Sequence, residues 1–295
     1  MALAAAPVTA AARVSLVILT HERLVEVTRS LERAVALPDR PAIIVVDNGS
    51  RDGTAAVLTR RFPSVSVVAL TDNRGAAGRN EGVRRAATPF VAFSDDDTWW
   101  APGALTRAAD LLERHPGLAL ITGRVLVGPA EREDSTCRLM AASPLARTPG
   151  MPGTPVLGFL AGASVARREA FLATGGYEPR FFLGGEEALV AVDLLAAGWT
   201  IAYVPEVVAH HHPSAARDAS HRRGLLARNA LWFAWLRRPW RPALRATAAA
   251  ARRAVTDPAA RRGLREAVSG AAWAWRRRRP LPARVEAMLE RVERG

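Results

Sequence analysis

The sequence predicts an α/β domain on a doubly wound, mostly parallel sheet flanked by helices, followed by a basic helical extension at the C-terminal end. Three observations predict it. Short apolar runs recur every few tens of residues, helical stripes or turn clusters separate them, and the excess positive charge is confined to the last quarter of the chain.

The runs at residues 14–19, 43–46, 65–70 and 90–93 are short, continuous and apolar, the pattern of strands buried on both faces. Between the first two, Leu24, Val27, Leu31 and Val35 fall three or four residues apart, the stripe of an amphipathic helix. Asp47, Asn48, Gly49 and Ser50 with Asp52 and Gly53 form a turn and helix-start cluster, and residues 75–82 hold the equivalent place after the third run. Pro102 opens a helix through Arg114, which His115, Pro116 and Gly117 stop. Further strands are expected at 118–127, 156–165 and 200–208. Residues 128–155, rich in Pro, Gly and charge, read as a long mobile excursion. No internal repeat is visible, and the domains are expected at 1–216 and 217–295.

With 295 residues, 49% of them hydrophobic, the chain can bury one sizeable core and is too apolar to be disordered. The single cysteine, Cys137, excludes an intramolecular disulfide framework and fits a reducing, cytoplasmic location. The first twenty residues lack a basic leader, since Arg13 follows the apolar run, so no signal peptide is expected. The longest apolar stretches, 156–166 and 194–204, are about half of the roughly 20 residues of a membrane-spanning helix.

Net charge is +13, and all 41 basic residues are arginine. Residues 217–295 hold 20 Arg against 6 acids, whereas residues 1–216 hold 21 Arg against 22 acids. Trp232, Trp235, Trp240, Trp273 and Trp275 lie among Arg237, Arg238, Arg241 and the arginine run 276–279. That composition suits peripheral attachment of 217–295 to an anionic membrane surface on its inner face. A solvated extension packed on the domain explains it equally well. Nucleic acid is the weaker partner, because no helix-turn-helix, RNP or zinc pattern accompanies the charge.

In a doubly wound sheet, ligands bind beyond the carboxyl ends of the strands. Those ends carry Thr20 with His21, then Asp47, then residues 72–74, then Asp95 to Asp97. The sharpest feature is Ser94-Asp95-Asp96-Asp97: three consecutive carboxylates repel one another unless a cation neutralises them, and Mg2+ or Mn2+ is the fitting class. The alternative is an acidic helix cap before Pro102.

The stretches VSLVILTHER, IIVVDNGSRDGT, NRGAAGRNEG, FVAFSDDDTWW, AGASVARREAFLATGGYEPRFFLGGEE and VPEVVAHHH follow in that order across residues 13–213. Together they resemble the family 2 inverting glycosyltransferases with the nucleotide-binding GT-A fold. The resemblance implies sugar transfer from a nucleotide diphosphate sugar donor to an unknown hydroxyl acceptor (glycan, lipid-linked or natural product), assisted by Mn2+ or Mg2+. It places Thr20 and Asp47 in the base and ribose pocket, and Arg74, Gly75, Arg79 and Asn80 near the diphosphate. Asp95 and Asp97 match the family's Asp-x-Asp pair, with Asp96 between them on the donor side. Asp97 is then the direct metal ligand, Asp95 reaches the sugar or ribose as well as the metal, and His210 joins the ligand set. Glu187 is the expected general base and Glu186 its companion, at a helix start that favours carboxylates.

One departure stands out: Leu189 and Asp193 occupy positions where many members carry Asp and Arg. Asp193, seven residues after Glu186, shares its helical face, which opens a rewired polar network. Trp99 and Trp100 read equally as a sugar-stacking platform or as core. Two other functions stay open. A sugar nucleotidyltransferase would need a glycine-rich phosphate loop where this chain has THERL, and a nucleotide-sugar-binding homologue without catalysis fits the altered positions.

Overall fold

The structure is a computed structural model that describes residues 13–147, 149–213 and 219–294. The first half alternates strand and helix: β1 (Val14–Thr20), α1 (Leu24–Val35), β2 (Ala42–Asp47), α2 (Thr54–Arg61), β3 (Ser66–Ala69), α3 (Arg79–Arg85), β4 (Phe90–Asp95), β5 (Thr98–Trp100), α4 (Ala104–Arg114) and β6 (Leu118–Val127). Then come β7 (Arg132–Glu133), α5 (Ser135–Ala141), β8 (Thr154–Pro155), β9 (Ser164–Arg167), α6 (Arg168–Ala173), α7 (Glu186–Ala196) and β10 (Thr200–His211). The extension is helical: α8 (Ala219–Arg237), α9 (Trp240–Thr256), α10 (Pro258–Ser269), α11 (Ala271–Arg276) and α12 (Ala283–Arg294).

Among the described residues the strands form one sheet in the order β3-β2-β1-β4-β9-β6-β10-β5, with β7 beside β6 and β8 beside β10. β1 runs parallel to β2 and β4, β2 to β3, and β6 to β10. β9 is antiparallel between β4 and β6, and β5 is antiparallel to β10. Val14, Leu16, Val17 and Ile18 of β1 are all buried, so the continuous apolar run reflects helices on both faces of the sheet. Of the α1 stripe, Val27 and Leu31 enter the core while Val35 is exposed. α4 starts two residues after Pro102, where the Asp39 carboxylate accepts from the backbone N–H groups of Gly103 and Thr106 at 2.7 and 2.9 Å.

Two expectations need correction. Residues 128–155 are no loose excursion: they carry β7, α5 and β8, and the Cys137 and Met140 side chains of α5 are buried in the main core. A two-residue strand and a seven-residue helix are too short to leave a periodic signal. The strand expected at 156–165 is confined to β9; before it the chain makes a 3-10 turn, Ala161–Ala163. Gly162 in that turn lies so close to Asp95 that an added Cβ would stand 3.0 Å from its Oδ2.

The extension packs on the sheet domain. Phe181 and Leu189 join Leu231, Trp232, Leu236, Ala267, Trp273 and Ala274 in a second apolar cluster, while Leu281 and Val285 enter the main core. The expected boundary at 216/217 falls within 214–218, and most of the leader reading falls within 1–12; both stretches lie outside the described residues.

Candidate active site

The carboxyl ends of β1 and β4 and the start of α7 open onto one cavity of about 700 Å3. Thr20, Gly75, Arg79, Asp95, Asp96, Asp97, Glu186, Glu187 and His210 line it, so most of the expected site is brought together. Thr20, at the end of β1, donates from Oγ1 to Asp96 Oδ2 at 3.1 Å. The Ser30 hydroxyl of α1 donates to the Asp96 carbonyl at 2.7 Å and fixes the aspartate turn from below.

Negative charge in the trio is balanced by the chain itself. Arg23 spans two carboxylates, with NH1 3.1 Å from Asp96 Oδ1 and NH2 3.3 Å from Asp97 Oδ2. Arg79, 7% exposed, pairs with Asp95. Burial works against the Arg79 charge, but Asp95 and the further carboxylates of Glu187 and Glu186 outweigh it and raise its pKa. Burial likewise pushes the Asp96 carboxyl up to about 7 against the pull of Arg23, with Asp97 and Asp95 adding to the rise.

The antiparallel pairing of β5 with β10 sets His211 opposite Thr98 and His210 opposite Trp99. His211 Nε2 thereby stands 3.4 Å from Asp97 Oδ1. His210, the histidine expected at the ion, turns instead to Glu131, with Nδ1 3.2 Å from its Oε1, and stacks on Trp99 at 5.4 Å between ring centroids. The opposed faces of successive strand residues account for the exchange. Trp99 is also covered by the Arg33 guanidinium at 3.6 Å, Trp100 is 1% exposed, and neither lines the cavity.

Carboxylate and imidazole donors, Asp97 with His211, fit a hard divalent ion such as Mn2+ or Mg2+. Among the described residues no group of three or more His, Cys, Asp or Glu side chains is arranged to hold an ion. A short protein donor set is how such ions are bound when substrate phosphates complete the coordination.

Three expected donor-side residues do not line the cavity and are engaged by the chain itself. Asp47 is 2% exposed and its Oδ1 accepts from the Ser50 N–H at 3.0 Å, an Asx-type turn. Arg74 pairs with Asp72 at 3.3 Å on the surface. Both polar atoms of the Asn80 amide are spent on the Tyr177 backbone, at 2.7 and 2.9 Å. Asn48 was missed: its amide donates to Asn73 Oδ1 and the Gly75 carbonyl and accepts from the Arg74 N–H, tying the β2 and β3 loops together at the cavity wall. Arg23, Gly162 and Leu183, which lie within the matching stretches but drew no expected role, also line the cavity, as do Arg222 and Leu225, which lie outside them.

Gly184 and Gly185, at φ +90° and +85°, turn the chain into α7 and deliver Glu186 and Glu187 to the wall. Glu186 is 2% exposed. Burial raises the pKa of both carboxyls and pushes Glu187 up to about 7, the neighbouring Glu186 charge adding to the effect. A carboxylate with that affinity for protons is matched to base catalysis near neutral pH.

The family model for glycosyl transferase family 2 matches residues 15–174. An N-acetylglucosaminyl-diphospho-decaprenol L-rhamnosyltransferase of Mycobacterium tuberculosis is 28% identical over 220 residues, covering 62% of this chain and 71% of that protein. A pre-mycofactocin glycosyltransferase of the same species is 30% identical over 191 residues, covering 60% of this chain and 38% of that one. In fold the chain is similar to a mannosyltransferase of Pyrobaculum calidifontis solved with GDP-Man and Mn2+, at TM-score 0.59 and 19% identity over 95% of this chain and 86% of the other. S. aureus TarS solved with UDP-GlcNAc gives TM-score 0.54 and 15% identity over 74% of this chain and 66% of the other. Strand-end aspartates, a helix-start acidic pair and the sheet that sets them across one cavity thus belong to a glycosyltransferase of family 2 with the GT-A fold, and the chain is a member of that family.

Proposed function

We propose that the protein is an inverting, metal-assisted glycosyltransferase that moves a sugar from a nucleotide diphosphate donor to an acceptor hydroxyl, with Glu187 as general base. The observation that carries this reading is the single cavity with the aspartate trio on one wall and Glu186–Glu187 on another. In that arrangement Asp97 and His211 would hold the ion, and Asp95, paired with Arg79, would face the sugar or ribose. When bound, the ion supplies charge neutralisation of the departing nucleotide diphosphate. Glu187 accepts the proton of the acceptor hydroxyl, whose oxygen forms the new bond to the anomeric carbon on the face opposite the leaving group. Glu186 stays in the wall and by its charge keeps the proton affinity of Glu187 high.

The test is release of nucleoside diphosphate from UDP-, GDP- and TDP-sugars with Mn2+. Turnover that disappears in Asp97→Ala and Glu187→Gln supports the reading. Pyrophosphate formation from a nucleoside triphosphate would favour a nucleotidyltransferase, and binding without turnover a non-catalytic homologue.

We further propose a lipid-linked acceptor reached at an anionic membrane surface through the extension, treated as a unit from residue 217. Supporting this, Trp240 and Trp275 are 52% and 67% exposed and Arg278 lies 4.0 Å over the Trp240 ring. Among the described residues no helix is long and apolar enough to cross a membrane. Sedimentation with phosphatidylglycerol vesicles, lost in Trp240→Ala/Trp275→Ala, is the expected result; equal recovery with phosphatidylcholine vesicles contradicts it.

A further inference from the structure

The loop that delivers Glu186 and Glu187 has an unusual backbone. Phe182 sits at φ +60°, ψ −66°, and the Leu183 N–H donates to the Phe181 carbonyl at 2.7 Å. This is a γ-turn of the rare positive-φ kind, strained for a bulky residue by about 1–3 kcal/mol, and it persists only where surrounding contacts impose it.

Those contacts come from two sides. From the donor side, the Ala76 N–H donates to the Phe182 carbonyl at 2.7 Å, and Gly75 is pressed so close that a Cβ there would stand 2.0 Å from the same oxygen. From the other side, Asn229 of α8 is 1% exposed, and its Nδ2 donates to the carbonyls of Phe181, Leu183 and Gly184 at 2.8, 3.2 and 2.6 Å. Arg228 adds a bond from NH2 to the Phe181 carbonyl at 2.9 Å, and its Nε donates to Asn229 Oδ1 at 3.0 Å, which fixes the amide orientation. One side chain of the extension thus gathers three carbonyls within the five residues before α7.

We infer that Asn229 is a positioning residue of the active site: it holds the Phe182 γ-turn and thereby aims Glu187 into the cavity, which makes α8 part of the catalytic machinery. The inference rests on the reading of Glu187 as base. Phe182 is shared between the donor-side turn and the α8 clamp, so the clamp also sets the span between donor and acid pair. Oriented catalytic groups lose rate steeply when displaced; about 1 Å is worth on the order of 100-fold.

The experiment uses the full chain and compares wild type with Asn229→Asp, which keeps the shape but removes the NH2 group behind all three bonds, and Asn229→Gln, which retains an amide. Amide exchange by mass spectrometry needs no substrate: residues 181–187 exchange about ten-fold or more faster in Asn229→Asp. With whichever of the UDP-, GDP- or TDP-sugars is turned over, kcat falls by roughly 10–100-fold. The KM for donor stays within about two-fold, the acid limb of the pH profile moves, and Asn229→Gln recovers part of the rate. Arg261→Ala, which removes bonds to the Ala254 and Val255 carbonyls elsewhere in the extension, leaves kcat unchanged. Should Asn229→Asp fail to fold, Arg228→Gln, which loses the Phe181 and Arg180 bonds, the bond that orients the Asn229 amide and a contact with Glu266, carries the same readouts. Unchanged exchange at 181–187, or a rate lost only in proportion to donor binding, overturns the inference. If Glu187→Gln keeps full activity, the base reading fails; if it is inactive while Asn229→Asp is unaffected, the clamp alone fails.

Discussion

Arg237 grips Asp193 through two hydrogen bonds, Nε to Oδ1 at 2.5 Å and NH2 to Oδ2 at 2.8 Å. Asp193 is one of the two α7 residues, with Leu189, at which the chain departs from the pattern the family resemblance implies, and its partner lies on α8. The departure is therefore an inter-element ion pair that fastens the extension to the helix bearing the acid pair, with both side chains at least four-fifths buried.

Removing one member strands the other in a poorly hydrated place. Asp193→Ala or Arg237→Ala is expected to lower unfolding free energy by about 2–3 kcal/mol. The double variant should lose less than the sum. Urea denaturation of the four proteins checks it; strict additivity would mean that the pair contributes nothing specific.

Glu187 must be ionised to accept a proton, and burial with the Glu186 charge holds its pKa up to about 7. kcat/KM for sugar transfer is therefore expected to rise with pH through about 7 and then level. Glu187→Gln should lower it by roughly 100- to 10,000-fold. A pH–rate profile that is flat from 5 to 9 would remove Glu187 from the role.

The same shift has a consequence for stability. Unfolding returns Glu187 from about 7 to its ordinary 4.5. Between those values the native state binds more protons than the unfolded one, so stability falls as pH rises across the window, by roughly 1–3 kcal/mol. Thermal unfolding of Glu187→Gln should show a flatter dependence over the same range.

Arg23 lies on Asp96 and Asp97 where a divalent ion would compete with it. Arg23→Gln is expected to tighten Mn2+ binding about five-fold, the effect of removing ~1 kcal/mol of competing attraction. His211→Ala should weaken it at least ~10-fold, and His210→Ala should leave it nearly unchanged. The free-Mn2+ paramagnetic resonance signal measures all three.

How far the sequence foretold this arrangement depended on range. The strands β1, β2, β4 and β6 and the helix α1 were legible because buried runs and a 3.6-residue stripe are local signals. The aspartate trio and the acid pair were legible as motifs at element ends. Arg23, Asn48 and Asn229 were not, since each acts on residues 25 or more positions away. The expectation fell on His210; that His211 is the imidazole facing Asp97 follows only from the β5–β10 register, which the sequence does not show. The α5 region escaped notice because its helix is too short to show periodicity.

A thermal-shift series with UDP, GDP and TDP, each with and without Mn2+, on wild type and Asp97→Ala puts the donor reading to the test. One diphosphate is expected to raise the wild-type melting temperature by several degrees with Mn2+ present, as about 3 kcal/mol of ligand binding would, and to do little without it. Asp97→Ala should lose that increment. A shift of equal size in Asp97→Ala, or none with any diphosphate and Mn2+, would contradict the placement of a metal-bridged nucleotide at the aspartate trio.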